Sequence, residues 1–392
     1  MTGPALPVAR DADAAELARW DADAVDTPGG HVLQSQAWAA HRAAQGWRPR
    51  HLVIGEVRAL ALVRPYPLVP GNSAYLPRGP VGPGTPWRTD DGTGTGIGAA
   101  LVAATDLLAR SGCDVIAADP EVAEADHGYE VVLERARFHA IPEIQPSRHR
   151  MALDLPPGTD ADTVFDGVAK ATRQRIRRAE RDGVVVVRHD LRAAAVDADA
   201  RAGSGPGFAL PAEDAAVALE RFYGLLRETG DRRGFGFAGP SEFVTWWNRA
   251  FAAGHLAYLE AREHTADGDV LGGLVLYRHG RRLSTAHSGD RAERRRDHPG
   301  AMHLLRWRAI ELALAEGCTE MDLGGVDIAG ARRPPVDGEP TYGLYEHKRS
   351  FGARWVQLAG AREIVVRPLR YRVGRVASKL ARTARRAPGG RA

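Results

Sequence analysis

Residues 99–120 read AALVAATDLLARSGCDVIAADP, and residues 304–325 read LLRWRAIELALAEGCTEMDLGG. Each begins as an Ala/Leu-rich helical stretch and stops at a glycine, Gly112 or Gly317. A cysteine follows, then a short strand-like run, residues 114–118 in the first and 319–323 in the second. Glycine suits the end of a helix because it takes the left-handed conformation without a Cβ penalty. The pattern recurs about 205 residues apart, and self-similarity of this kind predicts a duplicated unit. The competing reading is chance, because helix–glycine–strand units are common in any α/β chain.

Working outward, 392 residues fit two domains better than one. The expected division is 1–150 and 151–366, with a separate basic tail at 367–392. In the first part, residues 51–55, 60–65 and 73–76 read as strands. The second opens with an alternating strand at 151–155. A single helix is expected over 161–182, with Asp162 as its N-cap and Gly183 as its stop, and a strand follows at 184–188. Residues 197–211 are a Gly/Pro/Ala-rich loop. Helices are expected at 213–229, 241–253 and 301–316, and an antiparallel meander at 255–262, 270–279 and 281–287. A long loop covers 326–341, with late strands at 355–359 and 363–366. The fold class is α+β (α/β), in two similar halves.

Composition limits the function. Cys113 and Cys318 are the two cysteines. They lack metal-ligand spacing and do not form a disulfide framework, so a reducing, cytoplasmic compartment is expected. Residues 1–25 have no signal-peptide core, and no run of about 18 apolar residues occurs. The formal net charge is +4, yet residues 367–392 hold nine Arg/Lys and no acid. Setting those nine aside from the 53 basic residues leaves 44 against 49 acidic ones. The basic character is therefore local and points to a polyanionic partner. Leu369, Val373, Val376 and Leu380 fall at helical spacing with Arg and Lys between them. The tail is thus a basic amphipathic helix that contacts RNA or an anionic membrane surface, or simply packs on the body.

Four segments concentrate groups able to do chemistry. Gln34-Ser35-Gln36-Ala37-Trp38 is followed by Arg42 and Gly46-Trp47; both indoles are expected in the core, with Arg42 reaching a phosphate or solvent. Tyr75-Leu76-Pro77-Arg78-Gly79-Pro80-Val81-Gly82 is a stiffened loop able to bring backbone close to a ligand, with Arg78 supplying charge or standing incidentally in a turn. In residues 170–181, six of twelve side chains are basic. Lys170, Arg173, Arg177 and Arg181 share one helical face, a cationic ridge suited to phosphates, and Glu180 is the one acid in the run. Charge runs are also commonly plain solvated faces. Tyr342 to Gly352 gathers Tyr345, His347, Lys348 and Arg349 between glycines, where a cationic amine can stabilise an oxyanion in acyl transfer. A purely structural cluster is the alternative. There is no phosphate-binding Gly-x-x-x-x-Gly-Lys-Ser/Thr loop, no Gly-x-Ser-x-Gly and no His-Glu-x-x-His, so neither a metal nor a nucleotide cofactor is expected. Any acyl donor must arrive activated.

In this order the segments resemble the Fem family of peptidyltransferases, which build peptidoglycan cross-bridges. The matching pieces are Gln34-Ser35, Trp38 and Gly46-Trp47, then Pro77-Arg78-Gly79-Pro80-Val81-Gly82, then Arg173, Arg177-Arg178-Ala179-Glu180 and Gly183-Val184. Next come Phe222-Tyr223, Glu228-Thr229 and Arg232-Arg233-Gly234-Phe235, then Asp322-Leu323-Gly324-Gly325-Val326, and finally Gly343-Leu344-Tyr345, Lys348 and Phe351-Gly352. The resemblance implies two fused acetyltransferase-like (GNAT) subdomains, an aminoacyl-tRNA donor and an amine acceptor on a peptidoglycan precursor. Residues 184–241 are too short and broken for a coiled-coil arm, so an armless member is implied.

Carried over by position, Arg42 stands where the family has a basic residue on the precursor diphosphate, with Arg in place of the usual Lys; Arg78 and Arg233 join it as phosphate ligands. Lys348 matches the lysine that stabilises charge developing during aminoacyl transfer, with Tyr345 and His347 beside it. His347 replaces a residue that is often aromatic and apolar in relatives, and it is read as stacking, shuttling a proton or reading a different substrate. The segment 283–290 lacks the tyrosine that relatives often place there. Three alternatives stand beside this reading: a tRNA-dependent enzyme acting on a natural-product or lipid amine, an acetyl-CoA acetyltransferase with Arg291–Gly300 as a degenerate pyrophosphate loop, and a non-catalytic RNA- or membrane-binding protein.

Overall fold

The computed structural model describes residues 7–84, 93–192, 207–233, 239–326 and 330–386. The chain divides into two compact units, Met1–Arg148 with Gln357–Ala392, and His149–Val356.

The first unit carries strands β1 (Ala9–Asp11), β2 (Arg48–Ile54), β3 (Val57–Pro65), β4 (Asn72–Leu76), β5 (Cys113–Ala118) and β6 (His139–Ala140). Its helices are α1 (Ala14–Ala18), α2 (Trp20–Ala24), α3 (Gln36–Ala43), α4 (Thr93–Arg110) and α5 (His127–Arg135). β2, β3 and β4 form an antiparallel meander. α4 then crosses over so that β5 pairs parallel with β4. Ile97, Leu101, Ala104 and Leu108 lie at helical spacing along α4 and are buried against the sheet.

The second unit contains β7 (His149–Asp154), α6 (Ala161–Gly167), α7 (Lys170–Arg181), β8 (Val184–His189), α8 (Ala215–Arg233) and α9 (Pro240–Ala252). Then come β9 (Leu256–Glu263), β10 (Val270–His279), β11 (Arg282–Asp290), α10 (Ala301–Ala315), β12 (Glu320–Asp322), α11 (Tyr342–Arg349) and β13 (Arg354–Gln357). β9, β10 and β11 form the antiparallel meander, α10 crosses over, and β12 pairs parallel with β11. Meander, crossover helix, glycine and parallel strand therefore recur in both units. Gly112 (φ +91°) and Gly317 (φ +66°) end the two helices in the left-handed region, where a Cβ would be strained. The duplicated unit read in the sequence is the topological centre of each half. Between β8 and β9 the described residues hold α8 and α9 and no coiled-coil arm.

Three expectations need correction. The single helix over 161–182 is two helices: Val168 and Ala169 leave helical geometry (ψ 137° at both), and the Ala169 N–H donates to the Ser350 carbonyl at 2.8 Å. The chain after Val356 does not stay with the second half. β14 (Arg362–Val365) pairs antiparallel with β5 and β6 and lies between them in the first sheet. The tail set apart at 367–392 belongs to the first unit. It forms α12 (Pro368–Arg386), and Arg367 ties its start to the first unit through the carbonyls of Cys113 (3.0 Å) and Ala109 (2.9 Å).

Candidate active site

The run Tyr342–Arg349 is a helix, α11, and it carries Lys348 inward. Lys348 is 5% exposed, and its ammonium donates to the Gly325 carbonyl just beyond β12. Burying an ammonium is costly unless it is hydrogen-bonded, so this contact fixes the side chain. Gly324 makes the approach feasible: with φ +76°, a Cβ there would lie 2.8 Å from the Thr285 carbonyl and 3.5 Å from the Lys348 Nζ. The Gly324-Gly325 pair and Lys348, separated by a long loop in sequence, thus meet. Thr285 also carries a buried hydroxyl with no hydrogen-bond partner among the described residues.

His347 faces a polar cluster on α10. The Arg306 Nε donates to the His347 Nε2 at 3.3 Å, His303 meets His347 edge-on at 4.6 Å between ring centroids, and Phe351 packs at 5.4 Å. Arg175 of α7 reaches the His303 Nε2 at 3.3 Å. Burial, then the Arg306 charge and the neighbouring His303, Lys348 and Arg175, hold the His347 pKa well below its ordinary value. Burial and the same arginines push His303 down to about 4, and burial alone lowers Arg306 to about 10. Both imidazoles are therefore neutral at neutral pH, and His347 acts as an acceptor for Arg306. Arg306 is 2% exposed, and among the described residues no carboxylate lies within salt-bridge reach of it. His149 completes the surroundings: its Nε2 accepts from the Val326 N–H at 3.0 Å, Trp355 stacks on it at 3.9 Å, and burial with the Lys348 charge lowers it to about 4. Sequence reading missed His303, Arg306, His149 and Arg175. The available signal was a histidine and an arginine on the buried side of a largely apolar helix.

Tyr345 packs against the core and contacts Trp355 edge-on at 6.3 Å. It sits with the Trp355–His149 stack rather than with the His347 cluster.

The ridge residues stand on α7 opposite its buried face of Thr172, Ile176 and Ala179. They are not equivalent. Arg173 bonds the Asp166 carbonyl at 2.7 Å and pairs with its carboxylate at 3.4 Å, which closes the end of α6. Arg177 lies over the Phe165 ring at 5.3 Å. Lys170, Arg177 and Arg181 are exposed. Glu180 is not the one compensating acid, because Asp166 and Asp182 also pair with ridge-helix arginines, while Glu180 itself pairs with Arg308.

In the first unit, Arg42 lies between two indoles, 5.4 Å from the Trp38 ring and 5.1 Å from that of Trp47, with Arg64 on Trp47 at 5.2 Å. Gln45 accepts from Arg42 at 2.5 Å. The two tryptophans are half-buried against Ala39, Leu60 and Leu62. Arg78 adopts φ +51°. Its guanidinium donates to the Ser147 carbonyl at 3.1 Å and its N–H to the buried Asp119 carboxylate at 2.8 Å, so it braces its own loop. The Arg233 side chain lies outside the described residues, as does residue 234.

Two further arrangements bear on the chemistry. His189, Glu213 and Glu260 present ligand-type atoms within 4.8 Å of one another. However, Arg221 and Arg262 both pair with both carboxylates at 2.5–2.7 Å, so this donor set is neutralised by guanidinium groups. In the loop before α10, Arg294 and Arg295 pair with Glu263 and Asp290. A Cβ on Gly300 would lie 2.2 Å from the Arg175 carbonyl, so the backbone of α7 closes over the start of α10. Two of the four loop arginines and the helix terminus that a pyrophosphate would need are thus already engaged. Both cysteine thiols are raised by burial, Cys113 to about 11 and Cys318 to about 12, and neither is a ready nucleophile.

Comparison with known proteins agrees with this geometry. Residues 168–349 match the acetyltransferase (GNAT) domain family. The chain is 25% identical over 340 residues to the UDP-N-acetylmuramoylpentapeptide-lysine N(6)-alanyltransferase of Weissella viridescens, covering 82% of this chain and 88% of that protein. The crystal structure of FemX superposes with a TM-score of 0.70 at 17% identity, over 93% of this chain and 99% of that one. With the duplicated meander–helix–strand unit present in both halves, the chain is an acyltransferase built on two GNAT-like subdomains and is similar to the Fem-type enzymes.

Proposed function

We propose that this enzyme moves an amino acid from aminoacyl-tRNA to an amine of a peptidoglycan precursor and so forms part of an interpeptide bridge. The observation that carries the reading is Lys348: a buried ammonium, fixed on the Gly325 carbonyl, in the half that matches the GNAT family. The Weissella relative, named for alanyl transfer to a lysine of a UDP-linked pentapeptide, supports the acceptor class.

In the proposed step the neutral acceptor amine attacks the ester carbonyl of the charged tRNA. Lys348 donates to the oxygen that becomes negative in the tetrahedral intermediate. The carbon–oxygen bond to the tRNA ribose then breaks, the amide remains, and the amine proton leaves with the ribose hydroxyl or to solvent. The ester is the activated group, so no cofactor is required. His347 is held neutral as an acceptor for Arg306, and its role in this scheme is to position α11 and Lys348. The exposed Lys170, Arg177 and Arg181 are the proposed contacts for tRNA phosphates, and Arg42 between its two indoles is the proposed contact for the acceptor's diphosphate. The compartment is the cytoplasm, with the basic C-terminal helix at the inner membrane face. No helix among the described residues is long and apolar enough to cross a membrane.

The test is incubation with a mixture of charged tRNAs and UDP-linked pentapeptide, with mass spectrometry of the acceptor. The reading expects an increment of one amino-acid residue that vanishes when the tRNA is deacylated. An increment from acetyl-CoA instead would refute it.

A further inference from the structure

Helix α12 has three faces, not two. Gly374 and Ala377 are buried against the first unit, and a Cβ on Gly374 would come within 2.4 Å of the Tyr66 ring. Small residues there let the helix lie close, and Tyr371 reinforces the seat by donating to Glu363 at 3.3 Å. Arg370 pairs with the buried Asp114 at 3.4 Å. The helix is thus fastened along one side.

About a quarter-turn away lies an apolar stripe that the described residues leave exposed. Leu369, Val373, Val376 and Leu380 follow at spacings of four, three and four, within about 60° of one another, and they are 77%, 54%, 60% and 65% exposed. Four large apolar side chains aligned on one solvent face are not the scattered exposure of an ordinary surface. On the far side of the stripe come Arg372, Arg375 and Lys379, all exposed. The segment 367–392 carries nine basic residues and no acid.

We propose that this stripe is a docking surface for an anionic lipid bilayer, lying flat in the interface with its apolar side chains among the acyl chains and its cations on the headgroups. This deepens the peripheral location proposed above and does not depend on the transfer chemistry. A bilayer is favoured because the apolar stripe and the cationic face adjoin along the same helix. A nucleic acid would use the cations and leave the stripe in water, whereas an interfacial helix uses both. A second copy of the chain would cover the stripe but would bring its own nine cations against these.

The test is flotation of the purified full chain with vesicles of phosphatidylcholine alone and of phosphatidylcholine with phosphatidylglycerol. Binding to the anionic vesicles is expected to be tighter by about tenfold or more. Replacing Val376→Asp together with Leu380→Asp should weaken it by about tenfold or more, and Leu369→Asp with Val373→Asp provides an independent pair. Arg372→Ala with Lys379→Ala should weaken it by about 30-fold at low salt. All these positions are solvent-exposed, so the thermal midpoint should stay unchanged. Equal binding to both vesicles would overturn the proposal, as would stripe variants that float like the native chain. So would stripe variants that abolish a dimer or tRNA binding while leaving flotation intact. Transfer to a soluble acceptor, measured on the same variants, should persist, which separates failure of docking from failure of the proposed reaction.

Discussion

Arg306 donates to His347 across 3.3 Å, one residue before Lys348. The guanidinium is buried, with no carboxylate in salt-bridge reach among the described residues, and the imidazole it bonds is neutral. Burying such a charge opposes folding, which points to a positioning rather than a stabilising role. Arg306→Met should therefore leave the thermal midpoint unchanged or raise it, offset by about 1 kcal/mol for the donor lost by His347. Because α11 loses its anchor behind Lys348, kcat should fall with KM little changed. Thermal unfolding and steady-state kinetics on the same variant check both halves. A variant that unfolds readily, or one that keeps full kcat, would contradict the positioning role.

Lys348→Ala removes the proposed oxyanion donor, and kcat should drop by about 10²–10³ with KM for both substrates near native. Lys348→Arg should not restore it, because a guanidinium is too large for a site closed by Gly324 and the Thr285 carbonyl. Single-turnover transfer measures this directly. Native turnover in Lys348→Ala would remove the residue from the mechanism.

The three exposed ridge cations predict a salt effect. Lys170→Ala, Arg177→Ala and Arg181→Ala together should weaken tRNA binding and reduce the slope of log K against log salt by about 2–3. Arg173→Ala should instead cost stability, because it closes the end of α6. Filter binding across a salt series separates the two. An unchanged slope in the triple variant would make the ridge a solvated face.

His149 and His303 predict a pH dependence. Their folded pKa values are depressed to about 4 from the ordinary 6.5, so the unfolded chain binds more protons between those values and stability falls as pH drops through that window. At about pH 5 each should cost about 2 kcal/mol relative to pH 7. His303→Gln should flatten the curve in chemical denaturation at pH 5 and pH 7. Equal pH dependence in the variant would show that His303 is not buried neutral.

Much of this was readable from residues alone, for a physical reason: the helix–glycine–strand unit is local, and Gly112 and Gly317 mark both copies. What was not readable depends on contacts distant in sequence. The break at Val168 comes with the Ala169 bond to Ser350. The short strand Arg362–Val365 joins the first sheet because β5 and β6 offer edges on either side. In the site, Lys348 was legible from its glycine-bounded cluster and Gly324-Gly325. Its setting was not, since Arg306 and His303 are buried in a largely apolar helix that also carries Arg308 and Glu311. Arg78, read as supplying charge or as incidental in a turn, has its N–H on Asp119 and its guanidinium on the Ser147 carbonyl. Composition cannot show which charges a fold has already paired.

The most direct test of the central claim is transfer from a charged-tRNA mixture to UDP-linked pentapeptide by the native chain and by Lys348→Ala, read by mass spectrometry. The account predicts one added amino-acid residue, dependent on the aminoacyl ester and lost by about 10²–10³ in the variant. Product that forms equally in Lys348→Ala, or that requires acetyl-CoA rather than charged tRNA, would contradict it.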